Sequence, residues 1–239
     1  MSDMSGLLEV QRLDNVLDQL RYKHEHLPER AELVALAADR TKLDAAAERT
    51  ETQRAELQRR EREFENEAND LEEKAARLEA KLYDGSVTSP KEATALGEEI
   101  KHLKERQGML EEQGIELLVE MDPLNDQMVQ AEAARGEMEA KQGALETALA
   151  ADEADLEGAI ESAVSERAAA AATVPADSVE LYEKMRITYG PDAVVEFDAG
   201  KGGGCPVAMS AVELDRWKHL PSGTAEPCVD CGRMVVKLD

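Results

Sequence analysis

Aromatic residues are scarce in this chain: one tryptophan, two phenylalanines and four tyrosines among 239 residues. That is too little bulk for a single compact core of this length, and with 33% charged residues the composition suits a long helical structure. Glycine and proline are absent from residues 29–82, which excludes a turn there. A straight helix over that segment reaches roughly 80 Å at about 1.5 Å per residue. No run approaches the ~18–20 apolar residues of a membrane span. Residues 1–20 carry acids and lack both an unbroken apolar core and a small-residue cleavage site, so they are not expected to form a secretory leader.

Positive charge is also in short supply, with 28 Lys and Arg against 52 Asp and Glu and a net charge of −24. Residues 173–239 hold 11 acidic and 7 basic residues, or −4. The remaining −20 lies on residues 1–172. Such a segment repels phosphates, which need clustered Lys and Arg, and its charge favours solubility. Three cysteines, two in a CxxC, are too few for a disulfide framework. They suit a reducing cytoplasm and a metal site.

The chain does contain two seven-residue stripes. Leu36, Leu43, Thr50, Leu57, Phe64, Leu71 and Leu78 are each seven apart, interleaved with Leu33, Arg40, Ala47, Arg54, Glu61, Ala68, Ala75 and Leu82. Ile100, Leu103, Leu110, Leu117, Met121, Leu124, Met128, Met138, Leu145, Leu149 and Leu156 form the second stripe. Sustained over many heptads, this pattern marks a coiled-coil seam.

A short turn at 83–89 separates the stripes. Gly85 suits a helix end, Ser89 an N-cap, Pro90 a first helical position, and Glu92 the capping-box position three residues on. A capped turn this short reverses the chain, so residues whose numbers sum to about 172 should face each other, Leu71 near Leu103 and Leu36 near Arg135–Met138. Two parallel zippers between chains are the alternative. A kink or break is expected near Pro28, after an opening helix over about 4–27, and a bend near Pro123. The second arm carries Gly97, Gly108, Gly114, Gly136, Gly143 and Gly158, so it should lean on the first.

The composition changes after Thr173. A helix is expected over Asp177–Tyr189, with Val179, Tyr182 and Met185 or Ile187 inward, then a strand over Ala193–Phe197 and a tight loop at Lys201–Cys205. A short helix over Ser210–Leu220 follows, capped by Ser210 with Glu213 as its box partner, then a turn at Pro221–Pro227 and a last strand at Met234–Leu238. The fold class is mainly α: a long antiparallel two-helix coiled-coil hairpin over 1–172, then a small α+β zinc-ribbon-like head over 173–239.

Chemistry concentrates in Cys228-Val-Asp-Cys231-Gly232-Arg233, half of a zinc knuckle, where CxxC spacing on a tight turn aims two thiolates at one tetrahedral ion. The second knuckle, Gly204-Cys205-Pro206-Val207-Ala208, has alanine where a fourth cysteine belongs. Three outcomes stay open. One is zinc bound through Cys205, Cys228 and Cys231 plus water or a neighbour such as Asp230 or His219; the second is a metal-free head; the third is an oxidised Cys228–Cys231 pair. An open position on zinc is also how catalytic zinc begins, but no convergent base stands out. Neither does a nucleophile triad, a phosphate loop or a carboxylate dyad, and no enzyme activity is expected. His24, His26 and His102 read as exposed histidines, Trp217 with Leu214 and Leu220 as core. Arg233 suits either a phosphate or Asp230.

The plan resembles the bacterial family of coiled-coil hairpin proteins with a C-terminal C4-type zinc ribbon. Several stretches carry the resemblance: Leu27-Pro28-Glu29, Ser86-Val-Thr-Ser-Pro-Lys-Glu92 followed by Leu96-Gly-Glu-Glu-Ile100, Leu181-Tyr-Glu-Lys-Met-Arg186, Met209-Ser-Ala-Val-Glu-Leu214 and Cys228–Arg233. The acidic, alanine-rich arms look actinobacterial. The family's zinc ligands map onto Cys205, Cys228 and Cys231, and position 208 departs from its pattern. Some relatives are linked to flagellar or type III secretion chaperoning and to RNA binding. The resemblance and the rod together point to a cytoplasmic, non-enzymatic adaptor or chaperone-like protein, monomeric, that binds a protein partner through its coiled coil. The alternative is RNA binding through the head, with Lys201, Arg216, Lys218, Arg233 and Lys237 gathered beside Trp217. A zinc hydrolase is the remotest reading.

Overall fold

A computed structural model describes residues 6–238. Helix α1 covers Gly6–Glu25, α2 covers Pro28–Tyr83 and α3 covers Pro90–Ala172. The break at His26–Leu27 falls where Pro28 takes the first position of α2, where its missing N–H costs nothing. Helix α3 continues through Pro123. The chain divides into two compact units, residues 32–145 and residues 1–31 with 146–239.

In the 32–145 unit, α2 and α3 run antiparallel around the tip at 84–89, as the capped turn implies. Ion pairs between the arms record the direction: as the α2 partner retreats from Lys81 through Glu67 and Asp44 to Glu32, the α3 partner advances from Glu92 through Arg106 and Arg135 to Lys141. Gly85 has φ +82°. Glu92, expected as the capping-box partner of Ser89, instead reaches Lys81 across the tip at 3.4 Å, in an exposed pair between the two arms. The stripes face inward. Ala47, Ala68, Leu71 and Ala75 of α2 are buried, as are Ile100, Leu110, Leu117 and Met121 of α3. Phe64, Ala68 and Leu71 pack with Leu103 and Leu110. The polar seam residue Arg135 stays half-exposed and donates to Asp44 at 2.8 Å.

In the other unit, α4 covers Ala176–Tyr189 and α5 Ala211–His219. Strands β1 (Val194–Glu196), β2 (Ala225–Pro227) and β3 (Met234–Val236) form one sheet in the order β1-β3-β2. Strand β3 is parallel to β1 and antiparallel to β2. Residues 225–227, expected as turn, are therefore a strand; Pro227 is tolerated because it sits on an edge.

Central strand β3 is buried on both faces and separates two small cores. On one side Met234 and Val236 meet Val194, Tyr182, Val174 and the α1 residues Leu7 and Val10. On the other Val235 meets Trp217, Met209, Cys205 and Cys228. Residues 6–25, which the sequence places with the coiled coil, thus put their apolar face into the small domain. Three short strands cannot bury both faces with the head's own residues, and α1 supplies the missing cover. Val179, Tyr182 and Met185 point inward from α4, while Ile187 is exposed.

A partly buried polar network joins α1, α3 and α4. Asp14 accepts from Tyr182 Oη at 2.8 Å and Arg167 Nε at 3.2 Å, and pairs with Arg186 at 3.1 Å. Arg186 also pairs with Asp18 and donates to Tyr182 Oη. Burial is the main force that pushes the Tyr182 phenol up to about 12.

Candidate metal centre

The three cysteines come together. Cys205, Cys228 and Cys231 place their sulfur atoms within 4.8 Å of one another. Backbone shape makes this possible. Gly204 has φ +81°, and a Cβ there would collide with the Glu196 carbonyl oxygen. Only glycine lets the 201–205 loop lie on the end of β1 and present Cys205 to the knuckle. In the knuckle, Cys228 N–H donates to the Arg233 carbonyl and Gly232 N–H to the Cys228 carbonyl, at 2.7 and 2.8 Å. Gly232 has φ +78°, and its bare Cα leaves room for the Tyr189 hydroxyl.

Cys205 and Cys228 are buried and Cys231 is half-buried. Burial, with the two other thiols beside it, pushes the Cys205 thiol well up. Burial also raises Cys231, but the Arg233 backbone N–H, the neighbouring thiols and the Arg233 guanidinium outweigh it, and its net shift is downward. Of the three cysteines, Cys231 is the least buried. The donor set fits a soft or borderline ion. A tetrahedral zinc with Zn–S bonds of about 2.3 Å sets its sulfurs roughly 3.8 Å apart, a spacing these three can reach. Bound there, a metal would tie the 201–205 loop and the knuckle to the sheet.

The other candidates lie elsewhere. Ala208 is exposed. His219 is exposed, with Nδ1 at 2.8 Å from the Asp215 carbonyl. Asp230 accepts from the Ser210 backbone N–H at 3.3 Å, which is the position expected for Glu213 in a capping box. Glu213 instead pairs with Arg216 while its own N–H is capped by Ser210 Oγ. Among the described residues no His, Asp or Glu joins the three thiols.

Four of the head's five candidate cations, Lys201, Arg216, Arg233 and Lys237, are engaged by the protein itself. Arg216 pairs with Glu213 and Glu226, and Lys201 with Asp198. Lys237 Nζ donates to the carbonyls of Trp217, Lys218 and Leu220, closing the C-terminus of α5. Arg233 lies over the Tyr189 ring at 5.0 Å rather than on Asp230. Trp217 is 1% exposed and stacks on Phe197. Asp198 and Glu213 sit three residues from the cations they pair with, whereas Lys237, Arg233 and Trp217 meet their partners across the fold, where the sequence gives no sign of them.

Fold and site together define a coiled-coil hairpin protein with a thiol-clustered α+β head. The chain belongs to the family of the CT398-like coiled coil hairpin domain, whose model matches residues 10–190. An uncharacterised Mycobacterium tuberculosis protein, Rv2229c, is 25% identical over 243 residues, across all of this chain and 97% of its own length. A Mycobacterium smegmatis structure superposes with a TM-score of 0.81 at 21% identity, covering 99% of this chain and 98% of the other. The structure of CT398 from Chlamydia trachomatis gives 0.64 at 18% identity, covering 98% and 97%. At these identities the two structures speak for the fold alone.

Proposed function

We propose that this protein is a non-enzymatic adaptor that binds a partner protein's helix on its hairpin, with the head as a small metal-stabilised module. One observation carries this reading. Ile115 and Leu118 of α3 are 60% and 47% exposed. With Ala68 and Leu110 they line a groove on the 32–145 unit, rimmed by Glu61, Glu65 and Glu111. Exposed apolar side chains at helical spacing beside a shallow groove suit helix-in-groove recognition. The acidic rim and the strongly acidic arms select the occupant: an amphipathic helix with an apolar face and flanking Lys or Arg.

No helix of the described residues is long and apolar enough to cross a membrane. Three free thiols in one cluster suit a reducing cytoplasm. Buried Trp217 and the self-paired cations weigh against the head as a nucleic-acid surface. The capped tip and in-register seams support a monomer.

The test uses a synthetic amphipathic peptide with leucines at i, i+3, i+4 and i+7 and lysine flanks. Fluorescence anisotropy should show salt-dependent binding to the full chain, lost in Ile115→Glu/Leu118→Glu. Absence of binding, or equal binding by the double variant, would overturn the groove as the site.

A further inference from the structure

The metal centre has three thiols and, among the described residues, no fourth carboxylate or imidazole within reach. The two donors that neighbouring sequence offers are otherwise placed, Asp230 on the Ser210 N–H and His219 outward at Asp215. The rim of the cluster is open to solvent. Ala208 is exposed, Val207 and Val229 are 56% and 71% exposed, and Cys231 is the least buried of the three cysteines. A four-coordinate ion bound by three protein ligands has one position left for something else.

We propose that the head, on the reading that it holds a metal, takes its fourth ligand from outside the chain, and that the ligand class is an exogenous thiolate. Softness favours sulfur at a centre already built of thiolates. Arg233 adds positive charge beside Cys231, which offsets the extra negative charge of a fourth thiolate. The ligand would enter as a thiol and release its proton to solvent as it binds. A second copy of this chain is a poor source, because all three of its cysteines are already in its own cluster. The two remaining sources are a low-mass thiol and a cysteine of another protein.

Co2+ added to the reduced full-length protein tests this, read by sulfur-to-cobalt charge-transfer absorbance. The wild type should bind one Co2+, and titration with 2-mercaptoethanol should raise the charge-transfer intensity by roughly one third, as three thiolates become four. Ala208→Cys should begin at the higher intensity and ignore added thiol. A short peptide with a single cysteine serves as the second arm. A response to the small thiol alone assigns that source, and a response to the peptide as well admits a partner's cysteine. Cobalt bound with no response to either thiol would overturn the external ligand and leave the three-thiolate site standing. No cobalt bound at all would overturn both.

Discussion

The side-chain amide of Gln11 pairs with the backbone of Val194 in both directions. Gln11 Nε2 donates to the Val194 carbonyl at 2.7 Å, and Val194 N–H donates to Gln11 Oε1 at 2.6 Å. One glutamine on α1 thereby does at the β1 edge what a fourth strand would do. Edge strands with free N–H and C=O groups invite pairing with other chains. Asn15, one turn further along α1, donates to the Pro191 carbonyl and extends the seal.

Gln11→Leu should therefore cost about 1–3 kcal/mol, because it leaves two backbone groups without partners at an otherwise well-packed site. Chemical denaturation of the full chain checks the magnitude. A loss below a few tenths of a kcal/mol would show that water replaces the amide freely.

The Asp14 network offers a second measurement. Asp14→Ala removes the shared acceptor of Tyr182, Arg167 and Arg186 and strands two partly buried guanidinium groups. The expected loss is about 2–4 kcal/mol, between the costs of exposed and buried pairs. Asp18→Ala, on the exposed side of Arg186, should cost under about 1 kcal/mol. Equal losses would show that the network does not centre on Asp14.

Tyr182 gives the network a signature in pH. Its folded-state pKa is raised, chiefly by burial, to about 12, above the value of about 10 in an unfolded chain. A raised pKa means that the native state holds the proton more tightly. Its contribution is complete below about pH 10 and is lost as pH climbs toward 12. Stability of the wild type should fall more steeply over that window than that of Tyr182→Phe. Parallel curves would remove Tyr182 from the account.

The hairpin was largely legible in the sequence because its rules are local. Period, capped tip and seam alanines all act within a few residues, and the inward stripes follow them. Leu71→Asp, which puts a charge against Leu103 and Leu110, should cost several kcal/mol. Glu73→Ala should be nearly silent, since Glu73 makes only an exposed 3.8 Å pair with Arg77. Similar melting temperatures for the two variants would contradict the seam.

The head was legible in part. CxxC and the distant Cys205 showed the cluster, and Ser210 showed its cap. What escaped notice depends on contacts far apart in sequence. Leu7 and Val10 repeat like any coiled-coil residues, and nothing local says that they cover a sheet more than 180 positions away. In sequence Tyr182 reads as an inward helix position and Arg186 stands out only as part of a resemblance; their common partner Asp14 gives both a polar role. The cations around Trp217 look available until Lys237 is seen to close α5.

The claim that the hairpin groove binds a partner helix is tested most directly in the native cell, with a photocrosslinking amino acid at position 118 and, as a control, at position 73. The account predicts a discrete protein adduct from position 118 and none from 73, with the crosslinked segment an amphipathic helix bearing Lys or Arg beside its apolar face. No protein adduct from 118, or the same adducts from both positions, would contradict it.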